Sequence, residues 1–336
     1  MDLIGRFRWK SSADRRRAEA DARRMSISRR RKGGLRRMLR TTLPKGTAYL
    51  NVGHSNLTDE ILQGWRDSVG GTINVLVHDV IPLDHPHFQR PAQTDVFRSR
   101  MKRVSALADL VIYNSTATRT DAERWFGNWG RTPDGVVAHL GVEPFRPDMS
   151  QLPADLPLDR PYFVTLGTVE PRKNHALLLD VWEAMAAETA IEDLPSLVIV
   201  GTRGWANEAL FKRLDTTPLR GRALFEYSGL DDRAAAGLLS GSAGLLFPSL
   251  AEGFGLPPLE AAALGVPVVV CDLPIYRETL GNIPVYLDSG DVYSWMQITK
   301  QLAEKRQAER ERTGTPSPAT GIPTWTDHFN LVLKVT

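Results

Sequence analysis

From residue 47 onward the chain alternates short runs rich in Val, Ile and Leu with longer segments whose apolar residues recur every three or four positions. The short runs Thr47–Gly53, Ile73–Asp79, Leu110–Ser115 and Val136–Gly141 read as strands. A second series follows at Tyr162–Thr168, Leu197–Thr202, Leu224–Gly229, Gly244–Pro248, Pro267–Asp272 and Pro284–Asp288. Segments such as Phe97–Ala108 and His175–Ala187 carry the helical period between them. Alternation of this kind predicts an α/β fold, parallel sheets with helices on both faces. Pro144, Pro147, Pro153 and Pro157 fall between the two series and mark a linker. The expected division is a basic tail over 1–40, a first Rossmann-like domain over 41–148, a linker over 149–160 and a second Rossmann-like domain over 161–312. A polar stretch and a last amphipathic helix, Trp325–Val335, fill 313–336.

The 336 residues, 42% hydrophobic and 24% charged, suit a soluble two-domain protein and exclude wholesale disorder. A single cysteine, Cys271, excludes an intrachain disulfide and a cysteine zinc cluster, and points to a reducing, cytoplasmic setting. No apolar stretch approaches the ~18 residues that span a bilayer, and Met1–Lys10 lacks the apolar core of a secretory signal. Charge is unevenly placed. Residues 1–40 hold 15 of the 42 Lys/Arg and 4 of the 39 Asp/Glu, leaving a body with 27 basic and 35 acidic residues. Such a tail reads as a solvated extension or as a contact to anionic membrane at the inner face of the plasma membrane. Specific nucleic-acid binding is the weaker reading, because the acidic body repels phosphate and no recognition motif accompanies the arginines.

Two doubly wound domains facing each other form a cleft, and ligands of such sheets lie beyond the carboxyl ends of the strands. Two segments there carry candidate chemistry. In Glu252-Gly253-Phe254-Gly255-Leu256-Pro257-Pro258-Leu259-Glu260, two carboxylates bracket a Gly-x-Gly turn just before an Ala-rich helix. Glycines admit a ligand close to the backbone, free amides at the helix start face anions, and carboxylates grip sugar hydroxyls. In Gly167-Thr168-Val169-Glu170-Pro171-Arg172-Lys173-Asn174-His175, two cations stand between a strand end and a helix start, a place that suits phosphate. Asp-x-Asp, the usual holder of a divalent ion on a diphosphate, is absent from the sequence.

Together these segments, with Leu197-Val198-Ile199-Val200-Gly201 and Ser242-Ala243-Gly244-Leu245-Leu246-Phe247-Pro248-Ser249, resemble the family 4 retaining glycosyltransferases of the GT-B fold. The bacterial polysaccharide and mannosyltransferase-like members are the most similar kind. The resemblance implies transfer of a hexose, with retention, from a nucleoside-diphosphate sugar to a glycan or lipid-linked glycan. It implies Glu260 as a ribose ligand and Glu252 as a contact to the transferred hexose. Gly253, Phe254, Gly255 and Leu256 would form the cradle, and Gly167, Arg172 and Lys173 the diphosphate clamp, with no metal or other cofactor required. Val77-His78-Asp79-Val80-Ile81-Pro82-Leu83 resembles the family's histidine loop, which places His78, with Asp79 beside it, across the cleft from the sugar. Tyr49-Leu50-Asn51-Val52-Gly53-His54-Ser55 resembles a subgroup motif and adds His54. Four strands precede the linker against six after it, so the first, acceptor-side domain is expected to be shortened, and Lys32-Gly33-Gly34-Leu35 to belong to the tail. A degenerate GT-B protein that binds a nucleotide or a partner enzyme without efficient catalysis is the alternative.

Overall fold

A computed structural model describes residues 32–90, 92–156, 158–310 and 319–336, together with positions 16, 17, 20 and 24. Among these residues all ten expected strands form, in two wholly parallel sheets of four and six strands. Most of the expected basic tail lies outside the described residues, as do 313–318 of the late polar stretch.

The first sheet has the order β1 (Tyr49–Asn51), β2 (Ile73–Val77), β3 (Leu110–Tyr113), β4 (Asp134–Val137). Its helices are α1 (Leu35–Thr42), α2 (Asp59–Ser68), the short α3 (Ile81–Asp84), α4 (Gln93–Leu107) and α5 (Thr116–Asn128). Right-handed crossovers between strands in sequential order put the connecting helices on one face. On that face Ile73, Val75, Val77, Val111 and Tyr113 pack against Leu62, Met101, Val104 and Phe126. Thr58 and Ser115 cap α2 and α5 by accepting the amides of Ile61 and Thr118, which places both helix starts at the carboxyl ends of the preceding strands.

The second sheet has the order β10-β9-β8-β5-β6-β7. Its strands are β5 (Tyr162–Leu166), β6 (Ser196–Val200), β7 (Leu224–Tyr227), β8 (Gly244–Phe247), β9 (Val268–Cys271) and β10 (Val285–Leu287). Between them run α6 (His175–Glu188), α7 (Glu208–Thr216), α8 (Asp232–Gly241), α9 (Leu256–Ala263) and α10 (Pro274–Leu280), and α11 (Val292–Arg310) follows. The winding reverses between β5 and β8, so both faces carry helices and two cores form. Phe163, Ile199 and Leu246 lie with Trp182 and Trp295 on one face. Val164, Val198, Leu245 and Val270 lie with Leu259 and Tyr276 on the other.

The last helix, α12 (Trp325–Val335), returns to the first sheet. Val332 packs with Leu76, Ile112 and Ala138 on the face that the one-sided crossovers leave bare. His328 Nδ1 donates to His139 O at 3.0 Å and anchors it there.

Two sequence readings shift. β4 spans Asp134–Val137 rather than Val136–Gly141, so His139 stands just beyond the strand in the cleft. Lys32–Gly34 form a 3₁₀ turn leading into α1, whose Leu39 is buried and whose Arg36 pairs with Asp67 of α2 at 3.0 Å. The boundary expected at residue 40 therefore falls inside a packed helix, because Leu35 and Leu39, four apart, give α1 an apolar stripe. No helix among the described residues is long and apolar enough to cross a membrane.

Candidate active site

Ligands in open parallel sheets bind where the strand order reverses, and here that is the gap between β5 and β8. Both motifs singled out in the sequence emerge there. Gly167 follows β5 at φ +128°, a conformation costly for any other residue, and a Cβ on it would lie 3.4 Å from Lys173 Cε. Its open side lets the Lys173 stem fold back across the strand end. Pro171–Lys173 then form one 3₁₀ turn, and α6 begins after the left-handed Asn174.

The two cations converge on one carboxylate from the loop after β8. Lys173 Nζ donates to Glu252 Oε1 at 2.6 Å, and Arg172 Nη1 lies 2.9 Å from Glu252 Oε2. Arg172 is fixed further by Ala251 O at 2.7 Å and by Glu170 Oε1, 2.8 Å from Nη2. Glu170 is itself buried, and so is most of Lys173, whose ammonium sits 4.3 Å above the Phe247 ring. Burial alone would raise the Glu252 carboxyl, but the Lys173 and Arg172 charges outweigh it and hold Glu252 below its ordinary value. Burial moves Lys173 downward, and Glu252 offsets part of that shift.

The turn that follows is built on two glycines with different reasons. Gly255 has φ +78°, and a Cβ there would stand 2.5 Å from the Tyr276 ring. At Gly253 a Cβ would stand 2.5 Å from His78 O, so the backbone of the first half presses directly on this turn. Phe254 is buried and Leu256 exposed where it opens α9, whose first turn takes Pro257 and Pro258 because those amides need no intrahelical acceptor. Glu260 stands one turn into α9, apart from the ion-pair cluster. Its carboxylate has no hydrogen-bond or ion-pair partner among the described residues, and burial, aided by Asp232, raises it.

From the first half, His78 Nε2 donates to Val52 O at 2.6 Å, and the His78 amide donates to His54 Nε2 at 3.3 Å. The first bond requires a proton on His78 Nε2, and the second makes His54 Nε2 an acceptor. His54 lies behind His78, with ring centroids 5.2 Å apart, and burial pushes its pKa down to about 4. His54 therefore supports the loop that carries His78. Asp79 Oδ1 accepts the Ile81 amide at 3.1 Å, and burial raises its carboxyl next to Arg172 and Glu252. Between the halves lies a pocket of about 270 Å³ walled by Asp79, Asp84, Thr118, Asp121, Glu252 and Leu273.

The structure thus gathers Arg172, Lys173, Glu252, Gly253, His78 and Asp79 into one cluster. Gly167 shapes it, Phe254–Leu256 border it, and His54 and Glu260 stand behind and beside it. Sequence reasoning gave no role to Glu170, Tyr276, His139 or Glu278. Glu170 sits inside the Arg-Lys motif with no signal of its own, and Glu278 follows Arg277 in a helix, where charged neighbours usually face water.

Two parallel sheets with their strand ends turned toward a shared cleft, and a charged cluster at the switch point of the second, define the GT-B architecture. Residues 151–312 match the family model Glycosyl transferases group 1. The chain is 30% identical over 272 residues to the serotype-specific mannosyltransferase WbdA of Escherichia coli, an alignment covering 77% of this chain and 33% of WbdA. Over 132 residues it is 33% identical to the O-antigen chain mannosyltransferase B of Escherichia coli, 39% of this chain and 34% of that protein. It therefore spans about a third of the length of these curated relatives. Among solved structures, an α,α-trehalose-phosphate synthase (UDP-forming) from Burkholderia xenovorans superposes with a TM-score of 0.63 at 12% identity, over 90% of this chain and 76% of that one. HepE of Anabaena, in complex with UDP and glucose, gives 0.62 at 18% identity, over 85% and 77%.

Proposed function

We propose that the chain is a retaining glycosyltransferase that moves a hexose from a nucleoside-diphosphate sugar to a hydroxyl of a glycan or lipid-linked glycan in bacterial polysaccharide assembly. The observation that carries this reading is the Glu252 carboxylate held between Arg172 and Lys173 at the switch point, facing His78 and Asp79. The names of the similar mannosyltransferases make mannose the first hexose to test.

In this reading the donor diphosphate takes Lys173 and Arg172 as partners, and their charge stabilises the leaving group as it forms. Glu252, released from Lys173, accepts hydrogen bonds from hexose hydroxyls. The unpaired Glu260 carboxylate takes the ribose hydroxyls, and the amides of Gly253–Leu256 lie along the sugar and phosphate. Base contacts fall to the chain around Tyr227–Leu230. The departing phosphate oxygen receives the acceptor proton on the same face, which keeps the anomeric configuration. His78 supports the sugar by a hydrogen bond from across the cleft. Two side-chain cations at the phosphate position supply the charge that a metal would otherwise bring, so no metal is assigned to the reaction. The acidic body and basic amino-terminal segment fit a protein of the cytoplasmic membrane face, the segment resting on anionic lipid near a lipid-linked acceptor.

The test is a panel of GDP-mannose, UDP-glucose and ADP-glucose, read by thermal shift and by release of nucleoside diphosphate. One donor is expected to raise the melting temperature by mass action and to yield slow hydrolysis with EDTA present. Absence of both signals across the panel overturns the reading, and hydrolysis abolished by EDTA overturns its metal-free form.

A further inference from the structure

Glu278, in α10, belongs to the second half of the chain, yet its carboxylate binds the first. Oε1 accepts the Thr116 amide at 2.6 Å, and Oε2 accepts the Ala117 amide at 3.0 Å. These are orphan donors of the first turn of α5, where a negative charge is also favoured by the helix dipole. His139 Nε2 donates to Oε1 as well, at 2.8 Å. The Glu278 side chain is only 18% exposed; burial alone would raise its carboxyl, but these bonds outweigh it and keep the group below its ordinary value.

What Glu278 grips is what touches the candidate site. Thr118, one residue beyond the capped amides, sets its hydroxyl 3.2 Å from Gly253 O and 3.4 Å from His78 O. The His139 ring lies 6.1 Å from that of Phe254. So the two residues that follow Glu252 each meet a group of the first half, and Glu278 holds both groups by direct hydrogen bonds or through the same helix turn. The absence of a Cβ at Gly253 lets His78 O approach within this arrangement.

We propose that Glu278 is a positioning residue, a latch that fixes α5 and His139 against the second half and so sets the Glu252–Phe254 turn in register with His78–Asp79. As far as turnover is concerned, this rests on the transferase reading; the latch itself does not. Three donors share one carboxylate, so E278Q, whose amide nitrogen cannot accept, keeps part of the set, and E278A keeps none. The principal phosphate and ribose ligands all lie in the second half, so nucleotide binding is separable from registration.

The experiment uses the intact chain. E278A, E278Q, H139Q and T118V are compared for GDP and UDP affinity by calorimetry, for kcat and KM with the donor found above, and for radius of gyration by small-angle scattering. Expected are nucleotide affinities within about twofold of the parent, a kcat lowered about 10- to 100-fold in E278A as misplacement of reacting groups gives, an intermediate kcat in E278Q, and a larger radius of gyration in E278A. E278A and T118V are expected to be non-additive in kcat, since one acts through the other. A folded E278A with parental kcat and radius of gyration overturns the proposal, as do additive effects of the pair. Where E278A fails to fold, an unchanged kcat in H139Q overturns it. A larger radius of gyration in E278A, in a chain whose parent shows no transfer, supports the latch and counts against the transferase reading instead.

Discussion

Lys173 Nζ and Glu252 Oε1 lie 2.6 Å apart across the switch point of the second sheet. The cation assigned to the diphosphate is therefore already neutralised by the carboxylate assigned to the hexose. In the proposed reading donor binding is an exchange of partners, in which phosphate replaces Glu252 on Lys173. The exchange gives Lys173 a new anionic partner, which matters because an unpaired charge in such a place is costly.

Replacing Lys173 by Ala removes one charged donor to the leaving group and is expected to lower kcat/KM by about 2.7–4 kcal/mol of transition-state stabilisation. Steady-state kinetics check this, and an unchanged kcat/KM removes Lys173 from the mechanism. Arg172→Ala should reduce stability more than Lys173→Ala, since Arg172 also ties Glu170 and Ala251 O into the site. Thermal melts of the two variants decide that order.

The two glutamates of the motif are expected to separate by step. Glu260→Ala weakens binding of free nucleotide and of sugar nucleotide alike, because ribose is common to both. Glu252→Ala spares nucleotide affinity and lowers kcat. Calorimetry with the diphosphate and with the intact donor distinguishes them; equal losses of nucleotide affinity in both variants would sink the division.

Stability should fall on the acid side for two reasons with different windows. Glu252 has a depressed folded pKa, so its contribution is present above the ordinary 4.5 and is lost as pH falls through the lower folded value. His54 has a folded pKa of about 4 against an ordinary 6.5. The unfolded chain takes up that proton first, so stability declines as pH falls from about 6.5 toward about 4. Denaturant melts of His54→Asn against the parent across this range are expected to show a flatter profile for the variant. Parallel profiles would mean His54 titrates alike in both states.

Gly255→Ala forces a Cβ into a left-handed turn and onto the Tyr276 ring, and is expected to cost about 1–3 kcal/mol in stability. At Gly253 the obstacle is His78 O, on the other half of the chain. Gly253→Ala should therefore leave the melting temperature nearly intact while lowering kcat. A fall in melting temperature equal to that of Gly255→Ala would show that the turn, and not the contact between halves, needs this glycine.

Deleting residues 1–31 removes 11 of the 15 cations of the basic segment and spares α1. Sedimentation with phosphatidylserine vesicles is expected to fall with the deletion and with added salt. Equal sedimentation of both forms ends the membrane proposal.

The alternation of apolar runs determined most of the fold by itself. All ten strands appear, because each run is short, β-branched and bounded by turn residues, which is a local property. The paired-glutamate and Arg-Lys motifs were legible for a similar reason, since glycines and charges at strand ends are unusual in a local window. Which partners those charges take was decided only in three dimensions. Arg172 and Lys173 meet Glu252 because strand order brings β5 beside β8, although Lys173 and Glu252 are 79 positions apart. The tertiary structure also turned His54 into a support for His78, and drew Glu278 and His139, 139 positions apart in sequence, into one contact. A carboxylate's role depends on what lies within about 3 Å of it, and that distance is set by packing of sheets and helices that no local pattern encodes.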